Sequence, residues 1–267
     1  MPKRGLRVSP GRPKIRLERQ TADESATHGP SLPHHADDEV KQGITLKAFS
    51  FILQGFGVFS FLRSLQNLDT RGPQELVDIA LRSSIVRPLQ DRAEFLELAD
   101  LIAAYELKNV LEIGSFRGGT LFVFARLSRS DATLISLDLP NSRFGVFSRK
   151  VQEPLFRKFT RGNQRLVLLR EDSRVEETRS KVAIALKDPL DFLFIDGDHS
   201  YEGVKSDFQM YSPFVRKGGM VALHDIVSLR SDYGVARFWN EIKGSFKHRE
   251  IINYRPFSSM GIGVLWM

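Results

Sequence analysis

The sequence predicts a doubly wound α/β sheet, and three observations carry that prediction. Five apolar runs of strand length, at 109–114, 133–138, 165–170, 191–196 and 218–224, alternate with helical stretches near 118–129, 148–160, 173–186 and 201–214. The run Phe192-Leu-Phe-Ile195 is apolar without alternation, as a parallel strand covered on both faces must be. The first run enters a glycine-rich turn, Val110-Leu-Glu-Ile-Gly-Ser-Phe-Arg-Gly-Gly-Thr120, and the next ends in a carboxylate, Asp138.

Each element has its own local signal. Phe95, Leu96, Leu98, Ala99, Leu101 and Ile102 predict a helix ahead of the first strand. Asp172-Ser173 reads as a cap for the 173–186 helix. In 201–214, Tyr201, Val204, Phe208 and Tyr211 recur at helical spacing, and Ser200 is placed to cap the start. The end of the chain differs. A helix near 234–243 is followed by two strands, near 248–254 and 260–266, which predict an antiparallel edge on the parallel sheet.

Composition sets the boundaries. A chain of 267 residues with 42% hydrophobic content makes one large domain or one domain with an appendage. The expected division is a disordered tail over 1–42, a helical Phe-rich extension over 43–84 and the sheet domain over 85–267. The absence of cysteine excludes disulfides, thiolate nucleophiles and Cys-ligated zinc. The net charge is +7, yet residues 1–20 hold seven Lys/Arg against Glu18 alone, which is +6 of that total. The body is therefore near neutral, and nucleic acid is not the expected partner.

Residues 48–62, Ala-Phe-Ser-Phe-Ile-Leu-Gln-Gly-Phe-Gly-Val-Phe-Ser-Phe-Leu, contain no charge. As a helix they span about 22 Å, short of the roughly 30 Å hydrocarbon core, and Gln54, Gly55 and Gly57 weaken a spanning helix further. They read as a helix packed on the body or at a subunit contact of a homo-oligomer. They also read as an interfacial helix that, with the basic tail, gives peripheral membrane contact through 1–62. No apolar h-region follows the tail charges, so the expected location is cytoplasmic, with membrane association.

Two constellations carry chemistry. In the first, Gly114 and the glycines Gly118 and Gly119 let the backbone approach a nucleoside-bearing ligand, and Asp138 can bind ribose hydroxyls. Glu112 before Gly114, and Ser115-Phe-Arg-Gly-Gly119 in place of GxGxxG, favour S-adenosyl-L-methionine over NAD. The second is Phe194-Ile-Asp-Gly-Asp-His-Ser-Tyr-Glu-Gly-Val-Lys205 together with Gly218-Gly-Met-Val-Ala-Leu-His-Asp-Ile226. These runs bring Asp196, Asp198, His199, His224 and Asp225 to the carboxyl ends of neighbouring strands, where ligands bind in such sheets. Crowded carboxylates are costly unless a cation neutralises them or their pKa values shift, and an oxygen-rich set suits Mg²⁺ or Mn²⁺.

On these motifs, residues 85–267 resemble the class I S-adenosylmethionine-dependent methyltransferases, in the branch of macrolide sugar O-methyltransferases and cephalosporin hydroxylase-like proteins. The resemblance implies a Rossmann-like, seven-stranded sheet with an antiparallel last strand. It implies that Glu112, Gly114 and Ser115 line the methionine end of the cofactor, that Asp138 binds the ribose, and that the Glu171-Asp172-Ser173 turn lies against the adenine. Asp196 and Asp225 match metal ligands of metal-dependent O-methyltransferases, and His199 falls where the macrolide enzymes have a histidine base. Catechol-type enzymes place an asparagine after the second aspartate; here Ile226 stands there, which leaves Asp198, or a carboxylate from another loop or subunit, as third ligand. The implied acceptor is a hydroxyl of a sugar, glycolipid or natural product. A non-catalytic cofactor-binding module and an NAD-dependent dehydrogenase are the alternatives, and the intact acidic cluster and the poor GxGxxG match count against them.

Overall fold

The computed structural model describes residues 55–66, 68, 71–140, 149–228, 230–254 and 260–267. The expected tail over 1–42 and the start of the Phe-rich stretch lie outside these residues. The sheet lies within the unit Ala48–Met267.

Among the described residues the first helix covers 55–64 (α1), followed by α2 (Pro73–Arg82) and α3 (Arg92–Ala103). Five βα steps follow: β1 (Asn109–Ile113), α4 (Gly119–Leu127), β2 (Thr133–Asp138), α5 (Arg149–Phe156), β3 (Arg165–Arg170), α6 (Glu176–Ala185), β4 (Leu190–Ile195), α7 (Tyr201–Tyr211), β5 (Val215–His224) and α8 (Val235–Ile242). β6 (Lys247–Ile251) and β7 (Ile262–Trp266) close the chain. The strands lie in the order β3-β2-β1-β4-β5-β7-β6. β1 to β5 pair in parallel, and β7 runs antiparallel to both β5 and β6. The antiparallel last strand and the mostly parallel seven-stranded sheet are as the sequence predicts.

The order reverses between β1 and β4, so the chain leaves these adjacent strands in opposite directions and opens a crevice at their carboxyl ends. Alternate residues of each central strand feed two cores. Val110, Phe192, Phe194, Met220 and Ala222 face the first, whereas Leu111, Leu193, Ile195, Val221 and Leu223 face the second. Both faces are covered, which is why β4 shows no polar alternation in sequence.

Local boundaries depart from expectation where side chains intervene. The helix expected over 173–186 begins at Glu176, after a Val175 N-cap that makes no side-chain bond. Asp172 instead folds back to accept from the Arg174 backbone N–H at 2.9 Å, an Asx turn that delays the helix. Asp172-Ser173 therefore does not cap it. Ser200 does cap α7, accepting from the Gly203 N–H. β5 starts at Val215 rather than 218.

The helices before β1 are part of the same core. Phe61 of α1 is buried edge-on against Phe122 and Phe159, with centroids 5.4 and 5.9 Å away. Glu94 of α3 is buried and accepts from the Asn253 and Gly261 backbone N–H groups at 2.9 and 3.0 Å. It thereby fixes both ends of the β6–β7 connection next to the crevice.

Candidate active site

β1 delivers the chain to Gly114 at φ 88°, the left-handed region that a side chain disfavours. The Gly114 N–H donates to the Leu137 carbonyl and the Asp196 N–H to the Ile113 carbonyl, both at 2.9 Å. A Cβ at position 114 would run into the Asp196 carbonyl oxygen. Glycine here is thus required by the close approach of two strand ends. The turn continues through Phe116, also at positive φ, 46°. Asp138 supports that residue: Oδ2 accepts from the Phe116 N–H at 3.0 Å and Oδ1 from Leu139 at 2.8 Å. Burial raises the Asp138 carboxyl above its ordinary value, while Arg170 and the backbone donors offset part of this.

Glu112 is fully buried in β1, and among the described residues no donor reaches its carboxylate with good hydrogen-bond geometry. Burial lifts its pKa to about 8; the Ser115 and Thr120 hydroxyls act the other way. A buried acid of this kind suits a ligand ammonium group. The folded chain holds the proton more tightly than the unfolded chain, whose Glu titrates near 4.5, so this contribution weakens as pH rises from 4.5 to about 8. Urea unfolding of ligand-free protein should lose about 3 kcal/mol more between pH 5 and pH 8 in wild type than in Glu112→Gln. Equal losses in both would show that Glu112 is not the group responsible.

The second constellation forms next to this turn. His199 Nε2 lies 3.0 Å from Asp225 Oδ2 and 3.4 Å from Asp196 Oδ1. From the buried side, His224 Nδ1 lies 3.1 Å from Asp196 Oδ1 and 3.4 Å from Asp225 Oδ2. Burial favours neutral rings, but the two carboxylates outweigh it and bring His199 to about 9 and His224 to about 10. Asp196 and Asp225 are in turn held below the ordinary carboxylate range by the imidazoles despite burial. Ligand atoms of Asp196, His199 and Asp225 all lie within 4.8 Å of one another, so the two carboxylates can gather a divalent ion, with the His199 nitrogen either completing its shell or left free as a base. The two rings differ in access: the His199 side chain is 32% exposed and that of His224 4%.

A sequence model of the methyltransferase domain family matches residues 111–226, the span that holds both constellations. Residues 111–226 are a methyltransferase domain. An uncharacterized protein, R132, of Acanthamoeba polyphaga mimivirus is 30% identical over 153 residues, 57% of this chain and 66% of that protein. Another, y4gI of Sinorhizobium fredii, is 24% identical over 174 residues, 62% of this chain. The match spans 66% of the first relative's length and 18% of the second's. Among solved structures, an O-methyltransferase from Bacillus cereus in complex with SAH aligns with a TM-score of 0.53 at 17% identity, covering 73% of this chain and 90% of that one. The O-methyltransferase TomG from Streptomyces achromogenes, involved in tomaymycin synthesis and solved with SAM, gives 0.52 at 17% identity over 73% and 89%. The fold is that of class I S-adenosylmethionine-dependent methyltransferases.

Within the methyltransferase domain, the other residues singled out by sequence take varied positions. Ser115 is buried, its Oγ 2.6 Å from Ser136 Oγ, and binds the turn to β2. The space a Cβ would fill at Gly118 is taken by the Phe156 ring, and at Gly119 by the Val86 carbonyl and Pro88. Both glycines are thus demanded by packing beneath the turn. Asp172 pairs with Arg174 at 2.9 Å, and the Ser173 carbonyl accepts from the Tyr211 hydroxyl at 2.6 Å. Asp198 stands apart from the Asp196–His199–Asp225 cluster. Its Oδ1 accepts from the Ser200 N–H at 2.9 Å, and its Oδ2 lies 3.3 Å from Arg174.

Two residues in the methyltransferase domain's crevice were not foreseen. Gln90, before α3, donates from Nε2 to Asp196 Oδ2 at 2.7 Å. Tyr233 stacks on the His199 ring, with centroids 4.4 Å apart and planes 20° from parallel, while the Gly234 N–H donates to the His199 carbonyl at 2.7 Å. Neither lies in a motif, and no local sequence signal marks them.

Proposed function

We propose that the chain is an S-adenosyl-L-methionine-dependent O-methyltransferase that uses a divalent cation, Mg²⁺ or Mn²⁺, and methylates a hydroxyl of a sugar, glycolipid or natural product. One observation supports this above all. Gly114, at the head of the cofactor turn, packs directly on Asp196, the first carboxylate of the cluster, so the two ligand sites share a wall. The involvement of TomG in tomaymycin synthesis fits a small-molecule acceptor.

When bound, the cofactor supplies a sulfonium methyl group, and the cation lowers the pKa of an oxygen it touches. The chain's residues do the rest. Asp138 and Glu112 hold the ribose and ammonium ends, and the Gly114 turn fixes the backbone between them. Glu171, Asp172 and Ser173 form the turn at the adenine end. Asp196 and Asp225 hold the cation, with His224 bracing them from the sealed side. His199, the accessible imidazole, accepts the acceptor's hydroxyl proton at Nε2; positive charge on the same carboxylates favours the neutral ring this needs. Tyr233 keeps the ring in plane. Asp198 orders the start of α7 and the Arg174 loop.

Asp138→Ala should weaken S-adenosylhomocysteine binding at least about tenfold by calorimetry, the scale of one lost charge-assisted hydrogen bond, while Mn²⁺ binding persists. Unchanged affinity would remove Asp138 from the site.

The reading extends to an anionic membrane surface, contacted by the basic tail and the outer face of α1. Phe56 and Phe59 are 68% and 64% exposed, one turn apart, whereas Phe61 points into the core. Among the described residues no helix is long and apolar enough to cross a membrane. The double substitution Phe56→Ser, Phe59→Ser should reduce pelleting with phosphatidylserine vesicles without changing the melting temperature. Pelleting equal to wild type would sink the membrane contact.

A further inference from the structure

Gln90 belongs to no motif. It sits in the segment between α2 and α3, and its side chain is buried. A carboxylate only accepts, so the 2.7 Å contact with Asp196 Oδ2 runs from the amide N–H. The other end of the amide, Oε1, is buried without a hydrogen-bond partner among the described residues. An unsatisfied buried acceptor costs about 1–3 kcal/mol, so packing alone would favour leucine or methionine here. The contact with Asp196 is what sets the amide apart from those side chains.

The backbone that presents Gln90 is held on both sides. Val86 and Pro88 press on the start of α4 so closely that only glycine fits at 119. Asp91 caps α3 through the Ala93 and Glu94 N–H groups at 2.8 and 3.3 Å and takes the Asn253 side-chain amide at 3.0 Å. The two oxygens of Asp196 are thereby divided. Oδ2 is tied to Gln90, and Oδ1 faces His199 and His224.

We propose that Gln90 is a positioning residue that locks the Asp196 carboxylate, so that Oδ1 alone is offered to a divalent cation. The inference rests on the cation-binding reading above. It makes the segment ahead of α3 part of the site. Without the amide, the carboxylate is free to turn about Cβ–Cγ, and the cation loses a pre-set ligand.

The test uses the full chain with Gln90→Leu and, as a second variant of similar length, Gln90→Met. Mn²⁺ alone is titrated by electron paramagnetic resonance, S-adenosylhomocysteine by calorimetry, and folding is followed by thermal unfolding. Mn²⁺ affinity should fall about tenfold or more, as for other residues that orient a metal ligand, with S-adenosylhomocysteine affinity and melting temperature held. Wild-type Mn²⁺ affinity in the folded variants would overturn the proposal. So would a joint fall of both affinities with the melting temperature, or failure of both variants to fold, either of which makes Gln90 structural. If the wild-type chain binds no Mn²⁺, the cation reading itself fails and takes this one with it.

Discussion

Gly114→Ala is expected to abolish S-adenosylhomocysteine binding and to lower the unfolding free energy by about 3 kcal/mol or more. Two effects add at this residue. Its φ of 88° is strained for any side chain, and the new Cβ would overlap the Asp196 carbonyl. That carbonyl belongs to the strand end bound to Ile113, so it cannot retreat without breaking the β1–β4 junction. The clash therefore reaches both ligand sites at once. Gly244→Ala, where a Cβ meets nothing within 4 Å, is the control and should leave both quantities near wild type. Chemical denaturation and calorimetry on the pair measure the difference; equal behaviour would mean the turn yields freely.

Asp225→Asn is expected to remove Mn²⁺ binding and methyl transfer while leaving S-adenosylhomocysteine affinity and the fold intact. Asp225 sits at φ 65°, a conformation that asparagine tolerates, so the substitution removes charge without adding backbone strain. Its carboxylate is buried and lies within 3.0 Å of His199 Nε2 and 3.4 Å of His224 Nδ1. Replacing it leaves two imidazoles around one carboxylate, a site that repels a dication. The effect on Mn²⁺ affinity should be at least about a hundredfold, the loss of one charged ligand in a partly buried site. Retention of Mn²⁺ affinity in Asp225→Asn would move the cation elsewhere.

Most of the parallel sheet was legible because β1 to β4 are largely apolar runs of five or six residues, each followed by a turn. The burial of β4 on both faces could be read from the unbroken apolar run Phe192 to Ile195. The cluster was legible in part. Asp196 and Asp225 end adjacent parallel strands, so strand placement alone brings them together. Direction was not legible. Asp198 lies two residues from Asp196, but the start of α7 turns its carboxylate to the Ser200 N–H and Arg174. The late start of α6 had a similar cause, since Asp172 satisfies Arg174 rather than a helix end. Gln90 reaches Asp196 across 106 residues, a pairing no local pattern encodes. Gly118 and Gly119 look like cofactor glycines in sequence, and the packing of Phe156, Val86 and Pro88, which also calls for glycine there, was not legible.

We propose that one crevice takes S-adenosyl-L-methionine beside a divalent cation. The most direct measurement is calorimetric titration of the full chain with S-adenosyl-L-methionine and with NAD⁺, each followed by Mn²⁺, in wild type and Asp196→Asn. Binding of S-adenosyl-L-methionine but not NAD⁺, with a Mn²⁺ heat that vanishes in Asp196→Asn, is the predicted result. NAD⁺ binding without S-adenosyl-L-methionine binding, or a Mn²⁺ heat that survives Asp196→Asn, would contradict it.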